Sequence, residues 1–332
     1  MKKVFLSLFV ALMATVAAQA QQIAVVAEDG TTNMYRTLSD AIEHASTGSV
    51  IYLPGGGFVI SDEMIITKKL HIIGIGYNLD GRNADGITTI GGNLWFSKGS
   101  DGSSVIGCYI SGNVNIGNDA EIVNDVLINR CNLKSVQVNN SECIGTEVNQ
   151  NYVRETCNFG KSEVTISNNV IGKIQNIATG VISYNTCCHK CYGSTIPFKL
   201  DPALENVNNS TIIGNIFRGE NPYYDYFHTG TSCVLSKNLF VGGSTVGNNP
   251  IVIDAGVNDI FVNVNNWSIT PASNFHFKEG YKEYESQCGI YAGTGFDQRG
   301  FPPVPYIVNK EIDPQTDASG MLKVTISVKA GE

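Results

Sequence analysis

The chain has 332 residues, of which 22 are basic and 30 are acidic, and its formal net charge is −8. An acidic chain without basic clusters repels phosphate backbones, so this balance disfavours nucleic acid as a partner. It also gives no general attraction to acidic polysaccharides, which would need a local basic patch or a bridging cation.

Residues 1–20 have the composition of an export signal. Lys2 and Lys3 precede an apolar run over residues 4–16, and cleavage is expected between Ala20 and Gln21. No later stretch reaches the roughly 18 apolar residues that a membrane-spanning helix needs. We therefore expect an exported protein without a transmembrane segment, located in the periplasm, at the cell surface or outside the cell.

The first predicted element after the signal is an amphipathic helix over residues 35–46. Leu38, Ala41 and Ile42 fall on one face of it. Short strands are predicted next, over residues 49–53, 58–60, 64–67 and 70–75. A helix in this place can cover the end of a stacked β core, where unpaired backbone would otherwise recruit another chain.

A six-residue pattern then recurs seven times between residues 105 and 240. It consists of an apolar residue, two free positions, Asn or Cys, one free position and a second apolar residue. The fourth position, which we call the slot, holds Cys108, Cys131, Asn151, Asn169, Asn185, Asn215 and Asn238. Steps of 16 to 30 residues separate the slots, which is typical of stacked repeat units.

Units of this length cannot bury a core alone, so we expect them to stack and share one. Stacking brings the slots of neighbouring units to about 4.8 Å from each other. An inward Asn can then bond the units above and below, whereas a lone buried amide costs about 1–3 kcal/mol. Asn also tolerates the left-handed backbone conformation expected at a corner between two strands.

The pattern therefore predicts an all-β fold, a parallel β-helix of about nine to eleven coils. The alternative is a β-sandwich with Asn in its turns. Sandwich strands recur every 8–12 residues or so, which does not fit the longer and uneven steps between slots.

The chain has nine cysteines, and most of them are interpreted as buried free thiols. Cys108, Cys131 and Cys187 fall on inward positions, and Cys143 and Cys157 lie near predicted strands. A buried free cysteine behaves as a small apolar residue, so these five need no disulfide partner.

The sequence CCHKC at residues 187–191 is the exception. Cys188 and Cys191 have CxxC spacing, and His189 lies between them. Zinc would need four ligands, and no second pair with suitable spacing completes the set. Core and turn residues, a local disulfide and a metal site all stay open here, and no metal site is predicted.

Two segments carry a resemblance to a known family. TLSDAIEHASTGSVIYLPGGG at residues 37–57 and ITKKLHIIGIG at residues 66–76 resemble the entry segment of the pectin-lyase-like superfamily. The units containing NIF and NLF are similar to its coils. The tail, CGIYAGTGF and FPPVPYIVNKEI, looks like the end of secreted β-helix proteins common in Bacteroidetes. The resemblance implies a right-handed parallel β-helix, in a superfamily of lyases, hydrolases, adhesins and proteins without known reaction.

The best candidate site lies in two long insertions between slots, at residues 188–206 and 218–231. The second insertion contains Tyr223, Tyr224 and Tyr226 beside Glu220. Aromatic faces stack on sugar rings and carboxylates bond hydroxyls, so these residues are predicted to bind a carbohydrate through the loops of residues 188–231. The alternative is that the aromatic residues fold onto the coil and cover its apolar surface.

Two other functions stay open. A polysaccharide lyase or glycoside hydrolase would use Arg218, Asp225 or His228 as catalytic groups, and a lyase would commonly bind Ca²⁺; no cofactor is expected otherwise. Arg154 and Arg218 both lie three residues after a slot and would project on one face, but without clustered carboxylates. The third function is a structural or adhesive surface rod.

The C-terminal part is predicted to close the domain. Residues 251–253 and 260–264 continue the coils, and residues 268–300 carry little strand signal. The proposed domains are the signal peptide at residues 1–20, the β-helix domain at 21–300, and a proline-rich linker with capping strands at 301–332. The strands over residues 304–312 and 321–329 form a hairpin that caps the end or attaches to a partner.

Overall fold

The computed structural model describes residues 22–78, 86–187, 203–218, 227–230, 232–241, 247–264, 270, 272–316 and 319–329. Strands dominate, and most of them belong to one large and mostly parallel sheet, which confirms the all-β class. Within the described ranges, none of the helices has the length and apolar character required to cross a membrane.

The N-terminal strands, in chain order, are β1 (Ile23–Val26), β2 (Thr32–Tyr35), β3 (Val50–Tyr52), β4 (Gly56–Ile66), β5 (His71–Ile73), β6 (Thr88–Phe96), β7 (Ser104–Ile106), β8 (Tyr109–Ile110), β9 (Val114–Ile116), β10 (Leu127–Asn129), β11 (Asn132–Leu133), β12 (Val136–Val138), β13 (Thr146–Asn149) and β14 (Tyr152–Ser167). Helix α1 (Leu38–His44) lies between β2 and β3.

The C-terminal strands are β15 (Val170–Ser183), β16 (Thr186–Cys187), β17 (Leu204–Val207), β18 (Ser210–Ile213), β19 (Ile216–Arg218), β20 (Phe227–Thr229), β21 (Val234–Ser236), β22 (Leu239–Val241), β23 (Ile251–Ile253), β24 (Phe261–Asn263), β25 (Asn274–Phe277), β26 (Tyr306–Ile312) and β27 (Val324–Lys329). Helix α2 (Val257–Ile260) precedes β24, and a 3-10 helix (Glu279–Tyr284) follows β25.

Helix α1 is shorter than the predicted helix over residues 35–46. Thr37 has an extended backbone and its hydroxyl accepts a hydrogen bond from Asp40 N at 3.1 Å, so the helix begins after this N-cap. Tyr35 belongs instead to β2, which pairs antiparallel with β1. At the other end, Lys68 Nζ donates to the carbonyls of Glu43 and Ala45, both at 2.8 Å.

The large sheet consists of three ladders of parallel strand segments. The first ladder contains β3, β5, β7, β10, β13, the C-terminal ends of β14 and β15, β18 and β21. The second contains β8, β11, β16, β19, β22, β23 and the N-terminal ends of β4, β6, β14 and β15. The third contains β9, β12, β17, β20, the C-terminal ends of β4 and β6, and the middle of β14 and β15.

Each repeat unit contributes one segment to each ladder, in the order first, second, third. The six-residue pattern spans the first corner, because its initial apolar residue lies in the first ladder and its final one in the second. Val148 pairs with Ile166 in the first ladder, and Val153 with Ile171 in the second. All four are buried. This arrangement is compatible with a β-helix.

The predicted asparagine ladder is confirmed. Asn151, Asn169, Asn185, Asn215 and Asn238 are buried, and each Oδ1 accepts the backbone N–H of the preceding slot at 2.8–2.9 Å. Between successive Asn residues, Nδ2 also donates to the next Oδ1 at 2.9–3.0 Å. Each Nδ2 further donates to a carbonyl of the preceding unit at 2.8–3.0 Å. The amides from Asn151 to Asn215 are therefore bonded to the units on both sides, and that of Asn238, at the last slot, is bonded to the preceding unit.

The left-handed backbone conformation does not fall on the slot, as the sequence interpretation had it, but on the residue before it. Positive φ occurs at Gly107, Arg130, Gln150, Asn168, Tyr184, Gly214 and Lys237. Most of these side chains bear a Cβ, which costs roughly 1–2 kcal/mol in this conformation. Gly107, Asn168 and Gly214 tolerate this conformation, and at the slots 169, 185 and 215 the amide of the Asn also donates across the corner to the carbonyl two residues before it.

The cysteine interpretation is confirmed for the described residues. Cys108, Cys131, Cys143, Cys157 and Cys187 are buried thiols outside any disulfide bond. Cys131 occupies its slot much as an Asn would, since its Sγ donates to Val105 O at 3.5 Å in the preceding unit. Burial raises the pKa of the Cys131 thiol to about 12. Cys188, His189 and Cys191 lie outside the described residues.

A segment after the last unit runs back along the second ladder. We call residues 288–302 the return segment. Its Gly289 N donates to Gly214 O at 2.8 Å, Asn168 Nδ2 donates to Ile290 O at 2.9 Å, and Arg130 Nη1 donates to Phe301 O at 2.7 Å. The segment thus passes from late units to early ones and buries the outward residues of the second ladder, among them Val170, Ile216 and Leu239.

The predicted C-terminal hairpin is confirmed as a pair of strands. β26 and β27 pair antiparallel in a sheet of their own. Every residue of β27 is exposed, and the side chains of Val324, Ile326 and Val328 are 48–61 % exposed. Its role in closing the end of the core, or in attachment to a partner, stays a prediction.

Replacing a ladder residue is expected to destabilise the fold strongly. Asn185→Ala removes the acceptor for Asn169 N and three donated hydrogen bonds, and it leaves buried groups without partners. We expect the free energy of unfolding to fall by about 3 kcal/mol or more, measured by urea unfolding. Asn139→Ala is the matched control, because this exposed Asn donates a single bond to Gly117 O. Equal losses in both variants would contradict the role of the ladder.

The buried thiols are expected to make the protein less stable in alkali. The pKa of Cys131 is raised from 9.0 to about 12 by burial, so its contribution is complete below about pH 9 and is lost as the pH rises toward 12. Over this window the thiol contributes a slope of about 1.4 kcal/mol per pH unit. Urea unfolding at several alkaline pH values should show a shallower decline for Cys131→Ala than for the unmodified chain; identical slopes would refute this cause.

Candidate functional site

One outward position of the third ladder carries a polar or aromatic side chain in each unit from β6 to β17. From β6 to β14 it is flanked by buried apolar residues, as Gln137 is by Val136 and Val138, whereas Gln175 and Glu205 are each preceded by a buried apolar residue and followed by Asn. The positions pair with one another in register. They are Trp95, Asn115, Gln137, Asn158, Gln175 and Glu205, and we call them the amide row.

Several side-chain amides of the row have donors and acceptors that are available to a ligand. Asn115, Gln137 and Gln175 are partly exposed, and none of their side chains forms a hydrogen bond with another described residue. Asn158 is different, because its Oδ1 accepts from Asn176 Nδ2 at 3.0 Å. Each free amide offers two donors and one acceptor oxygen. The row therefore presents repeated donors and acceptors at the strand spacing of about 4.8 Å.

Trp95 ends the row with an aromatic surface. Its Nε1 donates to Gly117 O at 3.2 Å, which fixes the indole against the neighbouring unit. The ring is partly exposed, and Ile65, which pairs with Trp95 in the preceding unit, is 54 % exposed. An indole held in this way provides a rigid apolar platform beside the amides.

The cations that border the row are already engaged. Lys173 forms an ion pair with Glu205 at 2.5 Å, and Lys134 lies 4.0 Å from Glu155. The Arg154 guanidinium donates to Ile110 O and Ser111 O at 3.0 and 2.9 Å, and it lies 4.9 Å from the centroid of the Tyr109 ring. Arg154 therefore ties neighbouring units together instead of standing free on a face.

The other two outward faces differ from the third. The second ladder is covered by the return segment. The first ladder exposes apolar, hydroxyl and charged side chains, among them Glu147, Thr211 and Val234. The third ladder is the face on which amides, an aromatic ring and a carboxylate stand in one register.

Most of the predicted site lies outside the described residues. This holds for Glu220, Tyr223, Tyr224, Asp225 and Tyr226. Their predicted roles are neither supported nor opposed by the structure.

Arg218 and His228 are described as backbone only. Arg218 pairs with Val241 in the second ladder, and His228 pairs with Glu205 in the third. His228 thus takes the next backbone position after the last residue of the amide row, whereas Arg218 belongs to a different ladder.

The described flanks of the two insertions lie side by side. Cys187, before the first insertion, pairs with Phe217, which comes shortly before the second. Leu204, in the described C-terminal part of the first insertion, pairs with Phe227, in the described C-terminal part of the second. In consecutive units, the chain thus leaves the second ladder before each insertion and enters the third ladder at β17, which contains Glu205, and at β20.

In the part of the chain that the structure describes, no three His, Cys, Asp or Glu side chains come together as metal ligands would. Glu205, the carboxylate of the amide row, forms an ion pair with Lys173. What the described arrangement offers chemically is hydrogen bonding and stacking over a surface.

The amide row was missed by the sequence interpretation, although a signal for it exists. Triplets of apolar, polar and apolar residues follow the first three slots, at residues 114–116, 136–138 and 157–159. Alignment of the units on these triplets, in addition to the slot, places their polar middle residues in one outward row.

Comparison of the chain with protein-family models, with curated proteins and with solved structures gives no significant match in any of the three.

Proposed function

We propose that the chain folds as a right-handed parallel β-helix of the pectin-lyase-like type. Three parallel ladders with one segment per unit support this proposal, as does the buried Asn ladder at the corner between the first two. The N-terminal helix over the end of the first unit is a further point of agreement with the resemblance.

We further propose that the protein binds a carbohydrate and that the amide row is the described part of its binding surface. The observation that carries this proposal is the register of free amides at Asn115, Gln137 and Gln175 with the held indole of Trp95. A sugar ring has an apolar face that stacks on an indole and hydroxyls that donate to and accept from amides. A partly exposed row suits a ligand that lies on the surface.

The loops of residues 188–231 are proposed to extend this surface. The pairing of their described flanks in the second and third ladders, with Glu205 in β17, supports this proposal. Tyr223, Tyr224, Tyr226 and Glu220 are the side chains expected to contact the ligand there. The protein is proposed to act after export, following cleavage between Ala20 and Gln21, where polysaccharides are accessible.

Binding is expected to depend on the amide row. Trp95→Ala and Gln137→Ala should each weaken the affinity of the mature chain for its glycan, the first by about tenfold or more and the second by about two- to tenfold. A glycan array identifies the ligand, and titration calorimetry measures the dissociation constant.

The matched control is Thr211→Ala, an exposed position on the outward face of the first ladder. Its affinity should equal that of the unmodified chain, and circular dichroism should show that all variants are folded at the temperature of the titration. If Tyr223→Ala and Tyr224→Ala abolish binding while Trp95→Ala has no effect, the site lies in the insertions and not on the row. Absence of binding to every glycan would refute the proposed function.

A further inference from the structure

We infer that the ligand of the amide row is an uncharged, extended glycan whose chain runs across the strands, from unit to unit. This inference rests on the proposed function and adds the chemical class and the direction of the ligand. Its first support is the composition of the row itself.

No formal charge occurs in the row from Trp95 to Gln175. The neighbouring outward positions Asn93, Asn113, Ser135 and Thr156 are likewise neutral. In the unit of Gln175 the same position is Lys173, whose charge is paired with that of Glu205. A uronate chain carries one carboxylate in each sugar and would need compensating cations, because desolvating an unpaired carboxylate is costly. Neutral hydroxyls need only the amide donors and acceptors that the row offers.

The nearby cations do not supply that compensation. Lys173 forms an ion pair with Glu205, and the Arg154 guanidinium donates hydrogen bonds to backbone carbonyls. Lys134 faces Glu155. A uronate would have to break these contacts before it gained its own.

The opposite border of the row is mostly acidic. The turns between the third and first ladders carry Glu121, Glu142 and Glu163, against Lys98 and Lys161. Hydrogen bonds from Ser97 above all, and from Lys98 N and Asn118, keep the pKa of Glu121 below its usual value, so this carboxylate stays ionised at neutral pH. A polyanion that approaches the row meets repulsion on this side.

The geometry of the row sets the direction of the chain. Trp95, Asn115, Gln137, Asn158 and Gln175 are successive partners in a parallel ladder. Four steps of about 4.8 Å make this stretch about 19 Å long. An extended polymer along it meets one polar side chain per strand, whereas a polymer parallel to the strands would leave the row after one residue.

Two substitutions that introduce opposite charges at one position distinguish a neutral ligand from an acidic one. Gln137→Glu is isosteric with the native side chain, and Gln137→Lys places the opposite charge at the same partly exposed position. Titration calorimetry at low salt would use neutral oligosaccharides of hexoses and pentoses, and oligogalacturonate with and without Ca²⁺. For a neutral ligand, we expect the two variants to differ by less than about threefold in dissociation constant. For a uronate, Gln137→Lys would bind more than about tenfold tighter than Gln137→Glu, and added salt would narrow the gap.

The possible results separate the inference from the proposed function. The inference is supported if neutral oligosaccharides bind, bind more weakly to Trp95→Ala, and have dissociation constants for Gln137→Lys and Gln137→Glu within about threefold of each other. It is overturned, while the proposed function stands, if uronates bind in preference, bind more weakly to Trp95→Ala, and bind more tightly to Gln137→Lys than to Gln137→Glu. Binding that ignores Trp95 and Gln137 overturns the assignment to this row. No binding to any oligosaccharide overturns both proposals.

Discussion

The buried ladder of Asn151, Asn169, Asn185, Asn215 and Asn238 is the constraint on which the rest of the structure depends. Each Asn bonds the slot before it, and each except the last also bonds the slot after it, so the units can stack in one register only. A slip by one residue would leave several buried amides unpaired, at a cost of about 1–3 kcal/mol each. The same register aligns the outward positions of neighbouring units, so the residues of the amide row also pair with one another.

The three outward faces have different uses. The return segment covers the second ladder and is tied to the corner residues before the slots, such as Asn168 and Gly214. These corners adopt a conformation that disfavours most side chains, and contacts with the return segment help to hold them. The third ladder is left partly open, and it is the face on which free amides and an indole occur together. The second ladder thus packs against the return segment, whereas the proposed binding surface lies on the third ladder.

The sequence was sufficient for the features that repeat. The slot, the buried apolar positions and the free cysteines follow from periodicity, because every unit meets the same environment. Features that arise once were not predictable in this way. Ile290 contacts Asn168 across 122 residues, and no local pattern signals that contact. The N-terminal boundary of α1 depends on one hydrogen bond, from Asp40 N to the hydroxyl of Thr37. The predicted site residues Tyr223 and Glu220 were chosen for unusual composition, and they lie outside the described residues, whereas the amide row has ordinary composition and becomes visible only when the units are in register.

The most direct test of the proposed binding surface is a crystal structure of the mature chain, residues 21–332, with the tightest-binding neutral oligosaccharide. We expect the sugar chain to lie along the third ladder, with one ring on Trp95 and hydroxyls bonded to Asn115 and Gln137. A sugar bound on another face, with these amides bonded only to water or to the protein itself, would contradict the assignment of the amide row.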